Sequence, residues 1–424
     1  MTATRMARTA GTLVVAGAWL AAAALLWRTH VPANLSLPAL DPRAVFGAET
    51  LRRAHRHDAF LRLDWLVELV FELGLLGALA ALGPRLAARL RGGAIVRGAL
   101  LAALAWILVW LVRFPFGLVA QWWERRYGIS RQSYGAWLVD RLPSPLELVV
   151  LLAAVAGGML LARRLGGRWW LAAAPLLALL GLVFAFVQPL LGPTLHPLRN
   201  PALLAEIRRA GVKAGVDRVA KQTRAANAEA VGIGATRRVI FDDTLLDGRF
   251  SPSSLRFVGA HELAHHSRRH VWKGVAWFAL FSLPLALALA WTTERRGGLA
   301  LPGTVPLALL VAFCLQILSV PIGGAISRRY EAEADWTALE RTRDPAAAQA
   351  LFTGFARVNL EDPAPPGWAR LLLDDHPSLL QRVELARAWS ARATGAAGSP
   401  AGSGSPRAST TSTTRPASRR PAPS

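Results

Sequence analysis

Long apolar runs alternate with charged segments along this 424-residue chain, and the alternation predicts most of its architecture. Runs of 17 or more residues lie at about 11–27, 64–83, 98–118, 146–162, 169–191, 272–291 and 304–322. Runs of this length approach or reach what a helix needs to cross about 30 Å of hydrocarbon, so seven transmembrane helices are expected. The first run follows Arg5 and Arg8 and ends in Leu26-Trp27-Arg28 with no small-residue cleavage site, which reads as a retained span rather than a signal peptide. Residues 28–61 are polar, and their patch of Arg52, Arg53, His55, Arg56 and His57 reads as a solvated loop or juxtamembrane face. The stretch FPFGLVAQWWERRYGISRQSYGAWLVDRLPSP is amphipathic, with Trp and Tyr suited to a membrane interface.

Five runs thus form an N-terminal membrane domain over 1–192. A charged segment, 193–270, is long enough to fold by itself; a transmembrane hairpin, 271–324, separates it from a second soluble part, 325–392. Beyond that, 393–424 is Gly/Ser/Thr/Pro/Ala-rich and is expected to be disordered.

Composition sharpens this picture. Hydrophobic residues make up 53% of the chain, and the net charge is +22, almost all of it from Arg, since only Lys213, Lys221 and Lys273 are lysines. Basic loops beside membrane spans account for that charge, and no zinc finger or other nucleic-acid motif accompanies it, so no nucleic-acid partner is expected. The single Cys314 lies in an apolar run and excludes a disulfide framework or a cysteine metal site. Charge divides over topology: Arg85, Arg89, Arg91, Arg97, Arg163, Arg164 and Arg168 favour one side as cytoplasmic, and Arg125, Arg126, Arg131 and Arg141 the other.

Candidate chemistry lies in His261-Glu262-Leu263-Ala264-His265. Two histidines four apart share one face of a helix and can hold one zinc ion, while the Glu between them can act as general base on a water. Ser251 followed by Pro252 is a helix start, and the helix is expected to continue through His270-Val271-Trp272 into the sixth apolar run. His266 and His270 fall off the ligand face or a turn beyond it and read as basic helix residues. Catalytic zinc takes three protein ligands and keeps one position open. In Ser327-Arg328-Arg329-Tyr330-Glu331-Ala332-Glu333-Ala334-Asp335, Glu331 and Asp335 share a face and Glu333 points away. Glu331 is then a third ligand and Asp335 an orienter of a ligand histidine; a solvated acidic face paired with Arg328 and Arg329 remains the alternative.

HELAHH followed across a hairpin by SRRYEAEADWTALE resembles the CAAX prenyl protease type I family of integral-membrane zinc metalloproteases. ANAEAVGIGATRRVIFDDTLL and DDHPSLLQRVELARA resemble that family's substrate-strand and His-Pro…Arg segments, and FPFGLVAQWWERRYGISRQSYGAWLVD its segment before a transmembrane hairpin. The resemblance covers roughly residues 10–392. It implies zinc on His261, His265 and Glu331, with Glu262 as base and Asp335 behind a ligand histidine. His376 would assist at the oxyanion, Arg382 would brace the site, and Asn227 would hold a peptide bound as an added strand. Ser378 stands where the family has a second Pro, and Ala228, Glu229 and Ala230 stand where it has aromatics, which questions a prenylated substrate.

The expected fold is mainly α: about seven transmembrane helices enclosing a chamber, with a small α(+β) zincin-like metalloprotease unit. The expected function is zinc-dependent endopeptidase, one Zn2+ per chain, acting on peptide or protein substrates within a lipid bilayer. Residue usage suggests a GC-rich bacterial genome, hence a multi-pass protein of the inner membrane with its site toward the cytoplasm. The alternatives are a broad quality-control protease of the HtpX type and, in another class, a membrane scaffold that has lost hydrolysis.

Overall fold

The computed structural model describes residues 2–192 and 194–395, with side chains from residue 13 onward; the expected disordered tail lies outside it from position 396. The chain starts with α1 (Thr2–Leu26), α2 (Pro42–Phe46) and the 42-residue α3 (Ala48–Arg89). Next come α4 (Ala94–Tyr127), the short α5 (Tyr134–Asp140), α6 (Pro145–Leu165) and α7 (Trp170–Leu191). A soluble stretch follows: α8 (Pro201–Arg209), β1 (Lys213–Asp217), β2 (Ala228–Val231), β3 (Arg238–Asp242) and α9 (Pro252–Ser267). Two long helices, α10 (His270–Glu294) and α11 (Val305–Thr342), lead to α12 (Pro345–Val358), α13 (Gly367–Leu372) and α14 (Leu379–Ala393).

Among the described residues, six helices are long and apolar enough to cross a membrane, where seven spans were expected: α3, α4, α6, α7, α10 and α11. The first expected span is helical, part of α1, and the portion of α1 whose side chains are described, Leu13–Leu26, is apolar. The spanning helices also outrun the apolar runs. Of the polar residues 28–61, whose His/Arg patch was expected as a solvated loop or juxtamembrane face, 48–61 form the first part of α3, and His57 is buried there instead of solvated. Likewise α11 passes through the expected boundary at 324 and carries Ser327–Asp335 as its own continuation.

Packing among the spans follows membrane rules. The buried contacts are made by small residues such as Ala102, Ala162, Ala173, Ala174, Ala286 and Ala290, while Leu, Val and Phe such as Phe184 and Leu191 face outward. Small residues let helix backbones approach, because lipid removes the hydrophobic drive between helices.

The soluble unit has a conventional core. Its three strands run in the order β1-β3-β2, with β3 parallel to β1 and antiparallel to β2, so that β2 is an edge. Val239 and Phe241 of β3 pack on Phe257 and Leu263 of α9, with Phe352 of α12 and Leu379 and Val383 of α14 behind them. Phe257 and Phe352 meet edge to face at 5.8 Å, and burying each ring contributes roughly 1.5–3 kcal/mol. Helix starts are set by sequence: Ser251 Oγ accepts from Ser254 N at 3.1 Å with Pro252 in the first turn. The continuous helix expected through His270 is broken, however. Arg269 adopts φ 59°, which ends α9 and redirects the chain into α10.

Candidate metal centre

Two elements build the site. On α9, His261 and His265 are one turn apart; on α11, Glu331 and Asp335 are one turn apart on the facing surface. A ligand atom from each of His261, His265 and Glu331 lies within 4.8 Å of the others. Their separations are 3.1 Å between the two Nε2 atoms, 3.2 Å from His261 Nε2 to Glu331 Oε2, and 3.4 Å from His265 Nε2 to Glu331 Oε1. A tetrahedral ion with bonds of 2.0–2.2 Å needs its ligand atoms roughly 3.3–3.5 Å apart, close to this triangle.

The donor chemistry fits a cation as well. Asp335 Oδ1 lies 2.8 Å from His261 Nδ1, and a carboxylate only accepts, so Nδ1 carries the proton and Nε2 presents a lone pair. Glu331 Oε2 is buried without a hydrogen-bond partner, 3.2 Å from His261 Nε2, an arrangement a shared cation would satisfy. Burial opposes charge on His261, yet Asp335 and Glu331 outweigh it and raise that group to about 10; burial, joined by the neighbouring His261, His270 and His376, holds His265 down at about 3 against the pull of Glu331. The carboxylates therefore pull strongly on positive charge at this point.

Around this triangle the remaining expected residues fall as follows. Asp335 is 1% exposed and takes both arms of Arg382, Nε to Oδ2 at 2.8 Å and Nη2 to Oδ1 at 2.7 Å. The Arg382 guanidinium lies 4.2 Å over the Phe352 ring. Glu262 is buried, and its carboxyl is pushed up to about 8 by that burial, against the pull of His261. His376 stands with Nε2 3.5 Å from Glu331 Oε2 and Nδ1 2.7 Å from Asp375 Oδ1. Burial lowers His376, but Asp375 and Glu331 raise it by more. Gly324 makes that approach feasible, since a Cβ there would stand 2.7 Å from the Asp374 carbonyl of the loop bearing His376. Asn227 is exposed at the head of β2 and accepts from Asp242 N at 3.0 Å through its own carbonyl; its side chain does not reach the triangle's network.

Two groups escaped sequence reasoning. His270, expected as a basic helix residue, is 5% exposed, and Glu333, expected to point away, is 0% exposed. They bond to each other at 2.9 Å, next to His265. No local pattern announces this, because it depends on the break at Arg269. Similarly His55, Arg62 and Asp58 all reach Asp362, tying α3 to the loop after α12.

Two cavities lie among the long helices, and the first opens on the site. One of about 870 Å³ extends from His265 and Glu331 between α10 and α11, lined by Trp277, Phe281, Leu315 and Ile326. Another of about 530 Å³, between α3, α4 and α11, is lined by Arg62, Glu68, Glu72, Arg113 and Asp374. Charged side chains at membrane depth are stable when they line such polar space and pair, as Arg113 does with Glu72 at 3.0 Å through two nitrogens.

Residues 199–390 match the sequence model of peptidase family M48. The uncharacterized metalloprotease YhfN of Bacillus subtilis (strain 168) is 28% identical over 304 residues, covering 66% of this chain and 70% of its own. The crystal structure of S. mikatae Ste24p superposes with a TM-score of 0.63 at 16% identity, over 87% of this chain and 96% of that one, a likeness of fold.

Proposed function

We propose a mechanism on the premise that this chain is a metalloendopeptidase of family M48, the CAAX-protease-like family its motifs resemble, and a multi-pass membrane protein. His261, His265 and Glu331 would hold one zinc ion per chain. The observation that carries this reading is the convergence of two imidazole nitrogens and a partnerless buried carboxylate oxygen on one point, with Glu262 in the same helix turn. When bound, zinc acidifies a water at its open position and polarises the substrate carbonyl.

The chain's own groups do the rest. Glu262 takes the proton of the attacking water and returns it to the leaving nitrogen, so that a C–O bond forms as the C–N bond breaks. His376, whose charged form Asp375 and Glu331 favour, donates to the developing oxyanion. Arg382 fixes Asp335, and Asp335 fixes the tautomer of His261.

The substrate lies extended along β2. Because Asn227 and Asp242 form a hydrogen-bonded pair, alternation turns the N–H and C=O of Ala228 and Ala230 outward from the sheet, free to pair with a peptide, while Asn227 holds its backbone. The small side chains of Ala228 and Ala230 offer no pocket, which favours the sequence-tolerant reading, a quality-control protease of the HtpX type, over recognition of one modified tail. The protein sits in a bacterial inner membrane with the site toward the cytoplasm.

Glu262→Gln tests the mechanism. The purified variant should keep its zinc and lose cleavage by at least about 10²-fold. Cleavage at the parent rate sinks the assignment of Glu262. Glu331→Ala should lose zinc, and unchanged zinc content removes Glu331 from the ligand set.

A further inference from the structure

One buried group of side chains has no part in that mechanism. The Glu333 carboxylate accepts from the His30 backbone N–H at 2.9 Å, His30 Nδ1 at 2.7 Å, His270 Nε2 at 2.9 Å and Lys273 Nζ at 3.3 Å. The His270 ring is clamped flat on Tyr330, 4.8 Å between centroids and 9° between planes. Tyr330 is itself held, accepting from Trp277 Nε1 at 2.9 Å and donating to Leu26 O at 2.6 Å. On its other side, His270 Nδ1 lies 3.2 Å from His265 Nδ1.

We propose that His270 is a positioning residue of the metal centre, passing the acceptor character of Glu333 on to His265. This rests on the reading of His265 as a ligand. The proton order follows from the geometry. Glu333 only accepts, so His270 carries its proton on Nε2 and offers a lone pair at Nδ1. His265 must then donate from Nδ1, which leaves its Nε2 lone pair facing Glu331 and His261. Each ligand histidine thus has its tautomer set by a carboxylate: His261 directly by Asp335, His265 through an intervening imidazole.

The left-handed Arg269 makes this contact possible. Positions five apart on an unbroken helix lie about 140° from each other around the axis. The break swings His270 back until the rings of His265 and His270 are 5.0 Å apart.

The test is zinc affinity of the full chain in detergent, measured by chelator competition, for two variants that separate packing from hydrogen bonding. His270→Phe keeps a flat ring against Tyr330 and removes the acceptor; zinc binding should weaken by about ten- to a hundredfold. His270→Asn loses the ring but retains an amide oxygen to accept from His265, and should stay within a few-fold of the parent. The cobalt-loaded Phe variant should also show altered visible absorption. Parental affinity in the Phe variant, or equal weakening in both, overturns the proposal. His261→Ala is run alongside: if it loses zinc while His270→Phe does not, only the relay fails, and if it too binds like the parent, the metal-site reading fails.

Discussion

Replacing Asp335 by Asn changes one atom type at the most enclosed ion pair of the site. Asp335 and Arg382 are 1% and 9% exposed, so solvent screens neither, and both carboxylate oxygens are engaged by the guanidinium. Asparagine can accept with only one of its two terminal atoms, and its NH2 must face either an Arg382 N–H or His261 Nδ1. The result is a buried guanidinium without its counter-charge, a lesion that costs about 3–5 kcal/mol. For a unit the size of residues 199–390, each kcal/mol corresponds to roughly 2–4 °C, so the loss should be about 6–20 °C in detergent at fixed scan rate. Adding Arg382→Leu should return a large part of it, since the double variant leaves no orphan charge. Zinc affinity should fall about 10–100-fold in Asp335→Asn, because the tautomer of His261 is no longer fixed. If Asp335→Asn melts with the parent, or if the two substitutions simply add, the pair is not what holds these helices in register.

Asp242 gives a pH signature. Burial, then Asp217 opposite it in the sheet, Glu229 and Asp243 raise its carboxyl to about 7. The fold favours the neutral form, so this contribution is present below the ordinary carboxylate range and is lost as pH rises through about 7. Asp242→Asn should therefore melt higher than the parent at about pH 8 and alike at about pH 4, and an offset independent of pH refutes the point. Ala230→Pro removes an outward N–H that the sheet does not use; it should raise KM several-fold at unchanged zinc content, and an unchanged KM argues against strand addition. Gly324→Ala drives a Cβ against the Asp374 carbonyl and should displace His376, lowering kcat without loss of zinc. A variant with parental kcat would show that the loop yields freely.

Much of this was legible in the chain because it depends on short-range regularities. Apolar length marks the spans, Ser251-Pro252 marks a helix start, and a spacing of four puts His261 with His265 and Glu331 with Asp335 on single faces. That these two faces meet is a long-range fact, carried in the sequence only by resemblance of motifs. What stayed hidden depends on departures from regularity. The backbone at Arg269 takes a conformation that no residue type there advertises, and with it His270 and Glu333 change from surface charges to buried partners. The ends of the spans were also hidden, because polar residues continue α3 and α11 as readily as apolar ones do.

That α11 is one helix from Val305 to Thr342 has a consequence for selectivity. Glu331 stands nine residues beyond Ile322 in the same helix, about 14 Å along the axis from the end of the apolar run. The candidate metal centre is thereby set about that far beyond the apolar part of α11. For a substrate anchored in the same membrane, which bond reaches the centre depends on how many residues separate it from its anchor. Such an enzyme can be indifferent to side chains and still cut at a defined place, because it counts from the membrane.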